Sequence, residues 1–407
     1  MKLKHALINA ACLAVAFSAS SAMAQNVVGG GASLPEYLYK AEIGAFAPDY
    51  LYASTGSGAG KTALLTNVAT AFNNTYTPPR TDAVVHFAGS DSVLSPSDLS
   101  GYTRTGTDGN LVQMPSVGTA VGIPFKVGTL SALTLTANQL CGIFSGKWKT
   151  WDKVNASYPA SDINVVYRSD SSGTTEIFTR HLNAVCSTAS GNSLIDFPVT
   201  TRFSDVVALI NAAPNDPLNP KNVSTNFVAK SLSAGVRDEI DARTNVIGYL
   251  SPDYINTTLA PTSTAATKNL KAASLRNKND GTSYTPSSAN TTLALTNLTL
   301  GNNLADPNSW APTAANPASG YPISGLTFLD HVTCYSNSSV LSKILGFLDR
   351  HYTYSGVNDN TSRIEGNGFA KLPSTIVTAI RDNLLTNNSG KNLNLGNATA
   401  CSGKAGR

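Results

Sequence analysis

The spacing of apolar residues along the chain predicts amphipathic helices that alternate with short buried strands. Apolar positions such as Ile177, Phe178 and Leu182 recur at the interval of one helix face. Continuous apolar runs bounded by polar turns are instead typical of buried strands. Helices are predicted over residues 36–47, 171–186, 339–352 and 372–385. Buried strands are predicted over residues 81–91, 112–127, 162–170 and 245–252.

Residues 257–320 depart from this alternation. They are rich in Thr, Ser, Asn, Ala and Pro and show little periodicity, so we predict loops and short strands on the surface of one domain. Elsewhere, strands that alternate with helices indicate parallel sheets in α/β domains. No internal repeat is visible in the sequence, which argues against an extracellular adhesion or matrix protein.

The N-terminal segment has the three parts of a secretory signal peptide. A basic start, MKLKH, precedes the apolar run ALINAACLAVAF and then small residues, among which Ala22 and Ala24 form an A-x-A site. We predict cleavage after Ala24, so that residues 1–24 are the signal peptide. The apolar run is too short to span a bilayer, and no later stretch of the sequence is apolar for long enough. The mature protein is therefore expected in the periplasm or secreted from the cell.

Composition narrows the class of the mature protein. The remaining residues, 25–407, are enough for two domains. Only 13% of the chain is charged, and the formal net charge is +4, of which Lys2 and Lys4 of the signal peptide supply two. So weak a positive bias does not favour binding to nucleic acid or to a membrane surface.

Four cysteines follow the signal peptide, and their even number in an oxidising compartment indicates two disulfides. Three pairings are possible. Sequence order favours Cys141 with Cys186 and Cys334 with Cys401, because each bond would then staple one region of the chain. The alternative is a set of buried free thiols.

Four polar turns stand out against the apolar pattern. They are GGGASLP (29–35), GSGAGK (56–61), AGSDS (88–92) and YRSDSSGTTE (167–176). The last turn runs from a strand through Ser-Gly-Thr into a helix, and the N-terminus of a helix binds anions through its free N–H groups. Ser172 and Thr174 add hydroxyl donors, and Arg168 can form a bidentate contact with an oxyanion. The alternative is an ordinary helix cap beside a surface arginine, although a cap needs only one Ser or Thr.

The stretch STGSGAGKT (54–62) approaches the nucleotide-binding pattern G-x-x-x-x-G-K-[ST]. The first glycine of that pattern would fall at residue 55, which is Thr55. Because an exported protein also meets little ATP, an NTPase is disfavoured. The turn is then either an anion cradle that uses Ser57 or a flexible turn, and GGGASLP offers Ser33 in the same way.

A carboxylate, Asp91, belongs to the third of these turns. An acid next to an anion site repels the anion unless the ligand carries a proton that the acid can accept. Phosphate carries such a proton near neutral pH and sulfate does not, so Asp91 would favour phosphate and penalise sulfate. An aspartate that caps its own turn is the alternative, and the residues alone leave both open.

Taken together, seven stretches resemble the DING proteins. The stretches are GGGASLP, GSGAGK, AGSDSVLS, QMPSV, LCGIFSGKWKTWDKV, VVYRSDSSGTTEIFTRHLNAVC and YPISGLTF. DING proteins form the phosphate-binding branch of the periplasmic substrate-binding proteins, and they are related to the binding component of the phosphate-specific ABC transporter. The resemblance extends from about Val28 to the C-terminal CSGK, so it covers nearly the whole mature chain.

The resemblance implies an α/β fold of two lobes, with mixed sheets flanked by helices and a ligand cleft between the lobes. The chain would cross between the lobes near QMPSV and return near YPISGLTF. Lobe I would then comprise residues 25–117 and 322–407, and lobe II residues 118–321. The disulfides that the resemblance implies are the two that sequence order favours.

The resemblance also implies which residues bind phosphate. They are Ser33, Leu34, Ser57, Asp91, Arg168, Asp170, Ser172, Gly173 and Thr174. Asp91 would accept the phosphate proton, and Asp170 would hold Arg168 rather than touch the anion. DING proteins often have Thr in place of Ser33, which keeps the hydroxyl, and Glu in place of Asp170, which leaves the orientation of the arginine open. GSGAGK is then a cradle for free phosphate, and we expect Lys61 on the surface of the following helix.

The expected function is high-affinity binding of inorganic phosphate for scavenging or uptake. We expect a monomer, with an ABC transporter permease as its partner and with no metal or cofactor. Some relatives are described as low-molecular-weight alkaline phosphatases, so a secreted phosphomonoesterase that uses the same cleft is the alternative. Against it, the histidines are widely spaced and show no metal-ligand pattern, so that His86 and His181 are expected to be packed. Neither Ser57 nor Ser172 has an evident neighbouring base.

Overall fold

The computed structural model describes residues 26–76, 79–80, 84–213 and 226–407. The predicted signal peptide lies outside these residues. The strands are β1 (Val27–Gly31), β2 (Tyr50–Ser54), β3 (Phe87–Ser90), β4 (Leu111–Ala120), β5 (Pro124–Lys126), β6 (Thr134–Leu135), β7 (Asn164–Arg168), β8 (Phe227–Lys230), β9 (Val246–Gly248), β10 (Lys271–Ala272), β11 (Ser274–Arg276), β12 (Ser283–Tyr284) and β13 (Ser324–Val332). The helices are α1 (Glu36–Phe46), α2 (Ser57–Thr66), α3 (Thr70–Asn73), α4 (Pro96–Gly101), α5 (Thr105–Asp108), α6 (Ala137–Phe144), α7 (Trp151–Val154), α8 (Gly173–Val185), α9 (Phe203–Ala212), α10 (Leu232–Ala242), α11 (Pro252–Ile255), α12 (Ser288–Leu295), α13 (Ser338–His351), α14 (Thr361–Gly366) and α15 (Ser374–Ile380), which a π-helical turn extends over Arg381–Leu385.

The four predicted helices are present as α1, α8, α13 and α15 with its π-helical turn. Of the predicted strands, residues 112–127 form β4 and β5, and residues 162–170 form β7. The strand predicted over 245–252 is shorter, because β9 ends at Gly248 and Pro252 begins α11. The strand predicted over 81–91 appears as β3 alone, and residues 81–83 lie outside the described residues.

The first sheet has the strand order β2-β1-β3-β13-β4. Strand β1 is parallel to β2 and β3, whereas β13 is antiparallel to β3 and β4. The sheet is therefore mixed, as the family resemblance implied, and not purely parallel, as the simple alternation of elements suggested. The difference arises because β13 comes from the far end of the chain and enters between two strands of the N-terminal part.

The second sheet has the order β10-β5-β9-β7-β8 and is also mixed. Strand β7 is parallel to β8 and β9, and β5 is antiparallel to β9 and β10. Its core includes Phe144, Phe178 and Tyr249, and the ring of Phe178 lies 4.7 Å from each of the other two ring centroids. Such aromatic contacts hold α6 and α8 against the sheet. A small third sheet, β12-β11-β6, adjoins this side of the molecule.

The chain passes from the first sheet to the second between β4 and β5 and returns at β13. The exact boundaries between the two lobes remain a prediction.

Residues 257–320 contain the expected short strands β10, β11 and β12, and also helix α12, which was not predicted. The helix begins after Ser287, whose hydroxyl accepts the N–H of Asn290, but its Thr- and Asn-rich sequence has little helical periodicity. Leu295, at its end, and Trp310 pack in the same core cluster as Met114 of β4. This part of the segment is therefore not confined to the surface.

Two disulfides are present, Cys141–Cys186 and Cys334–Cys401. They pair the cysteines in sequence order and join positions that are 45 and 67 residues apart. Among the described residues, no helix combines the length and apolar character that crossing a membrane requires.

Candidate anion-binding site

The four polar turns singled out in the sequence converge between the two sheets. The turns after β1 and β3, and the one that leads from β2 into α2, belong to the first sheet, and the turn between β7 and α8 belongs to the second. Parallel strands deliver such turns to one edge of a sheet, which is where α/β proteins commonly bind ligands. The side chains of Ser33, Ser57, Arg168 and Thr174 that meet there are each at most 2% exposed.

Ser57 joins the two sides of this site. Its hydroxyl oxygen accepts the backbone N–H of Asp91 at 3.2 Å and the backbone N–H of Gly173 at 3.2 Å. The approach is close enough to require glycine, since a Cβ on Gly173 would lie 2.3 Å from the carbonyl carbon of Asp91. The N-terminus of α8 therefore lies directly against the turn that follows β3.

The guanidinium of Arg168 is buried and held by Asp170. Its Nε donates to Asp170 Oδ1 at 2.8 Å, its Nη2 donates to Asp170 Oδ2, and its Nη1 donates to Ser233 Oγ at 3.3 Å. Asp170 is held in turn by the N–H of Leu232 at 2.9 Å. An arginine has five N–H donors, so two have no partner among the residues that the structure describes, one on each terminal nitrogen. That pair can make an end-on bidentate contact with an oxyanion.

The electrostatic balance of this ion pair favours charge on both partners. Burial works against ionisation of Asp170, but the hydrogen bonds and the positive charge of Arg168 outweigh it and hold the pKa of Asp170 below its ordinary value. Asp170 thus works as a fixed counter-ion that orients Arg168 from behind.

Asp91 is the unsatisfied group of the site. Its Oδ2 accepts the hydroxyl of Thr174 at 3.4 Å, whereas its Oδ1 is buried without a protein partner among the described residues. Burial raises the pKa of Asp91 to about 7, although the positive charge of Arg168 opposes the rise. A carboxyl group in this state readily takes up or shares a proton near neutral pH.

The remaining predicted residues supply hydrogen-bond donors or pack around the site. Ser172 is the N-cap of α8, and its Oγ accepts the N–H of Thr175 at 3.2 Å, so its own proton is left to be donated. The side chain of Leu34 is buried in the core of the first sheet, which leaves only its backbone to face a ligand. The hydroxyl of Ser33 meets that of Ser233 at 2.9 Å across the site.

Lys61 does not lie on the helix surface, so that expectation is wrong. Its side chain is 9% exposed, and its Nζ donates to the carbonyl oxygen of Val93 and to Asp98 Oδ2, both at 3.0 Å. The loop that leads into α4 folds over α2 and covers the lysine, which the local sequence of α2 does not reveal.

The histidines are packed, as expected. His86 accepts the N–H of Val28 through Nδ1 at 2.9 Å, and burial lowers its pKa to about 4. His181 contacts the carbonyl oxygen of Ala315 at 2.8 Å, and burial likewise lowers its pKa to about 4. Among the described residues, no three His, Cys, Asp or Glu side chains form a group that could hold a metal ion.

Sequence reasoning missed Ser233, which is fully buried and contacts both Ser33 and Arg168. It lies at the start of α10, just after β8, in the stretch KSLSAGV. A polar turn that connects a strand to a helix was the signal at the other four turns. The same signal is present here, but without the glycine-rich spacing that drew attention to those turns.

A cavity of about 1280 Å³ adjoins the site without containing it. Gly58 and Ser171 line it, whereas their neighbours Ser57 and Ser172 do not. A space of about 20 Å³ lies next to Asp91, and Glu176 and Arg180 line both spaces. In this arrangement the anion donors are closed off from solvent, and the larger cavity lies beside them.

Comparisons with known proteins agree with this architecture. A family model described as a PBP superfamily domain matches residues 18–323. Alkaline phosphatase L of Pseudomonas aeruginosa is 36% identical over 408 residues, which cover 98% of this chain and 99% of the relative.

Solved structures match over a similar extent. A high affinity periplasmic phosphate-binding protein (PfluDING) bound with phosphate at pH 8.5 is 35% identical, with a TM-score of 0.78 over 94% of this chain and 99% of its own. The phosphate binding protein from Stenotrophomonas maltophilia is 34% identical, with a TM-score of 0.77 over 94% of this chain and 100% of its own.

Two mixed β-sheets, each flanked by helices, enclose a polar site between them, and this architecture is that of the two-lobed binding proteins. The family match covers most of the chain, and the relatives match almost all of it. The chain belongs to the PBP superfamily and, within it, to the DING proteins.

Proposed function

We propose that this protein binds inorganic phosphate in the cleft between its two lobes. The observation that carries the proposal is the burial of Asp91 and Arg168 in one site, the first with an unpartnered oxygen and the second with two N–H donors to spare. A tetrahedral oxyanion that still carries a proton matches both groups, because it accepts from the arginine and donates to the carboxylate. Relatives described as phosphate-binding proteins support this choice of anion.

Each predicted residue has a role in this proposal. Asp91 accepts the phosphate proton, and Asp170 keeps Arg168 aimed at the anion. The other ligands donate hydrogen bonds. They are the hydroxyls of Ser33, Ser57, Ser172 and Thr174 and the backbone N–H groups of Leu34 and Gly173. When the anion binds, the Thr174 hydroxyl turns to it from Asp91, and the Gly173 N–H turns to it from Ser57.

Binding requires the lobes to move apart and close again. We assign residues 25–117 and 322–407 to lobe I and residues 118–321 to lobe II, so that Ser57 of one lobe meets Gly173 of the other. Within the second range, Leu295 and Trp310 reach across to pack in the core of lobe I. With the ligating side chains buried, phosphate reaches them only when such contacts open. Closure then replaces the hydration shell of the anion with protein donors.

The protein acts outside the cytoplasm in this proposal. The signal peptide directs export and is cut after Ala24, and a relative described as periplasmic supports the periplasm, with secretion as the other destination. A monomer captures phosphate and delivers it to an ABC transporter permease.

Equilibrium binding of radiolabelled phosphate to the phosphate-stripped mature protein tests the proposal. We expect one site in the wild type and a loss of at least about 100-fold in affinity in Arg168→Ala, because two charge-assisted hydrogen bonds disappear. Arg276→Ala is the matched control, since Arg276 is exposed on β11, remote from the site. Absence of saturable binding to the wild type, or equal affinity in Arg168→Ala, would refute the proposal.

A phosphomonoesterase in the same cleft is the second candidate. The observation that favours it is the contact between the Thr174 hydroxyl and Asp91, whose pKa of about 7 suits a general base. A relative described as Alkaline phosphatase L is consistent with such chemistry. However, a site that encloses phosphate so fully binds the reaction product, which opposes turnover.

Release of nitrophenol from p-nitrophenyl phosphate separates the two candidates. The binding proposal predicts no multiple turnover at neutral or alkaline pH. Many turnovers per protein molecule, lost in both Thr174→Val and Arg168→Ala, would establish the phosphatase instead. Turnover that survives in both variants would come from another site or from a contaminant.

A further inference from the structure

Ser233 forms a hydrogen-bonded bridge across the site. Its Oγ lies 2.9 Å from the Oγ of Ser33, which is 200 residues away in the sequence, and its backbone N–H donates to the same Ser33 oxygen at 3.2 Å. The Nη1 of Arg168 donates to Ser233 Oγ at 3.3 Å. Ser233 is fully buried, so these contacts do not compete with solvent.

These contacts determine what the Ser33 hydroxyl can do. A serine hydroxyl has one proton to donate and two lone pairs with which to accept. The N–H of Ser233 occupies one lone pair of Ser33. When the Ser233 hydroxyl donates to the second, the Ser33 proton is the only hydrogen-bonding capacity left, and it must point to an acceptor such as an anion oxygen.

The same orientation suits Arg168. When the Ser233 hydroxyl donates its proton to Ser33, both lone pairs of the Ser233 oxygen are free, and one accepts the N–H of Arg168 Nη1. Asp170 thus holds the Nε side of the guanidinium and Ser233 holds one terminal nitrogen. In this orientation the Ser33 hydroxyl is a donor to the anion and the guanidinium is held at two points, so the site is preorganised, which lowers the entropic cost of binding.

We propose that Ser233 is a positioning residue of the phosphate site, which keeps the Ser33 hydroxyl as a donor to the anion and steadies Arg168. This inference rests on the proposed function. Because Ser33 follows β1 of the first sheet and Ser233 follows β8 of the second, the bridge exists only when the two sides are together. Ser233 therefore acts chiefly on the release of bound phosphate and little on its capture.

The test is a double-mutant cycle in phosphate affinity and dissociation rate. We expect Ser233→Ala to weaken binding by about tenfold, almost entirely through faster dissociation. Because Ser233 acts mainly through Ser33 and makes only the longer 3.3 Å contact with Arg168, the double variant Ser33→Ala/Ser233→Ala should bind no more than about twofold more weakly than Ser33→Ala alone. Additive losses, or an unchanged affinity in Ser233→Ala, would overturn the inference.

Two further variants control for folding. Ser231→Ala changes an exposed serine at the same helix start that makes no capping hydrogen bond, and it should leave phosphate affinity unchanged. Ser233→Cys keeps the side-chain shape with a somewhat larger atom but replaces the hydroxyl by a weak donor, so it should lose affinity as Ser233→Ala does. Wild-type affinity in Ser233→Cys would contradict the inference even if Ser233→Ala failed to fold. Absence of binding by the wild type would instead refute the proposed function.

Discussion

In the proposed function, Asp91 is the residue that decides which oxyanion the cleft can hold. Its carboxyl group is buried, one of its oxygens lacks a partner in the part of the protein that the structure describes, and the Arg168 guanidinium lies within electrostatic reach. An anion that brings its own proton satisfies the open oxygen. An anion that brings no proton meets a like charge in a buried site, where repulsion is strong.

The first prediction concerns anion selectivity. Asp91→Asn removes the proton acceptor and the negative charge while keeping the shape of the side chain. We expect phosphate to bind about tenfold more weakly and the ratio of phosphate to sulfate affinity to fall by about 100-fold, because sulfate is no longer repelled. Competition of each anion with labelled phosphate measures the ratio, and Asp162→Asn, at an exposed aspartate, is the control. An unchanged ratio in Asp91→Asn would contradict this role.

The second prediction concerns stability in the absence of phosphate. Burial raises the pKa of Asp91 from 3.8 to about 7, so the folded protein binds the proton more tightly than the unfolded chain. Stability from this group is therefore present at low pH and is lost as the pH rises from about 4 to about 7. The free energy of unfolding of Asp91→Asn, relative to the wild type, should rise over that interval and level off above about pH 8.

Urea unfolding of both proteins in phosphate-free buffer at several pH values measures this difference. Asp330, whose pKa burial raises to about 8, titrates in both proteins and cancels in the comparison. A difference that is independent of pH, or that shrinks as the pH rises, would show that Asp91 is not protonated in the folded state.

At the residue scale, local signals in the sequence selected residues that lie together in the structure. Turns that combine glycine with Ser, Thr, Arg or Asp between strands and helices led to Ser57, Asp91 and Arg168, and the structure brings these residues together. Lys61 and Ser233 could not be placed correctly in this way. Lys61 is covered by Asp98, and Ser233 faces Ser33. Both of these partners are distant in the sequence, so local patterns do not reveal them.

At the scale of elements, the contact between the start of α8 and the turn after β3 closes the site. Gly173 is the first residue of α8, and its N–H donates across the cleft to Ser57. A Cβ at this position would lie 2.4 Å from Asp91 Cβ and 2.4 Å from the N atom of Ser92. No real Cβ tolerates such distances, so glycine here is a condition of closure rather than of helix formation.

The third prediction follows from this steric limit. Gly173→Ala should fold, since α8 can hold alanine, but it should lose at least about 100-fold in phosphate affinity because the lobes cannot close fully. Gly235→Ala in α10 is the matched control, since its nearest contact there is an ordinary 3.6 Å from Lys230 Cβ. Calorimetric titration measures both affinities, and wild-type affinity in Gly173→Ala would refute the closure that we propose.

Elements with a strong periodic pattern could be predicted, and weakly patterned ones could not. Helices α8 and α13 have clear apolar faces and were found close to their predicted limits. Helix α12 has a Thr- and Asn-rich sequence and is held by its cap at Ser287 and by the burial of Leu295. Neither feature produces a periodic pattern of apolar residues in the sequence. The antiparallel entry of β13 between β3 and β4 is a pairing over more than 200 residues, which local patterns do not encode.

At the scale of the whole molecule, two sheets with separate cores enclose one buried polar site. The chain passes between the sheets after β4 and again before β13, and hydrogen bonds such as those of Ser57 and Ser33 join the two sides. Such a molecule captures a ligand by closing around it, and the buried donors then replace water. The central claim is that phosphate is enclosed at this place and nowhere else.

The measurement that tests this claim most directly is X-ray diffraction from crystals grown with arsenate, at the arsenic absorption edge. Arsenate is tetrahedral and carries a proton as phosphate does, and its anomalous signal locates the anion without reference to the protein. We predict a single strong peak between the two sheets, within hydrogen-bonding distance of Asp91, Arg168 and Thr174. No peak there, or a dominant peak elsewhere on the protein, would contradict the proposed function.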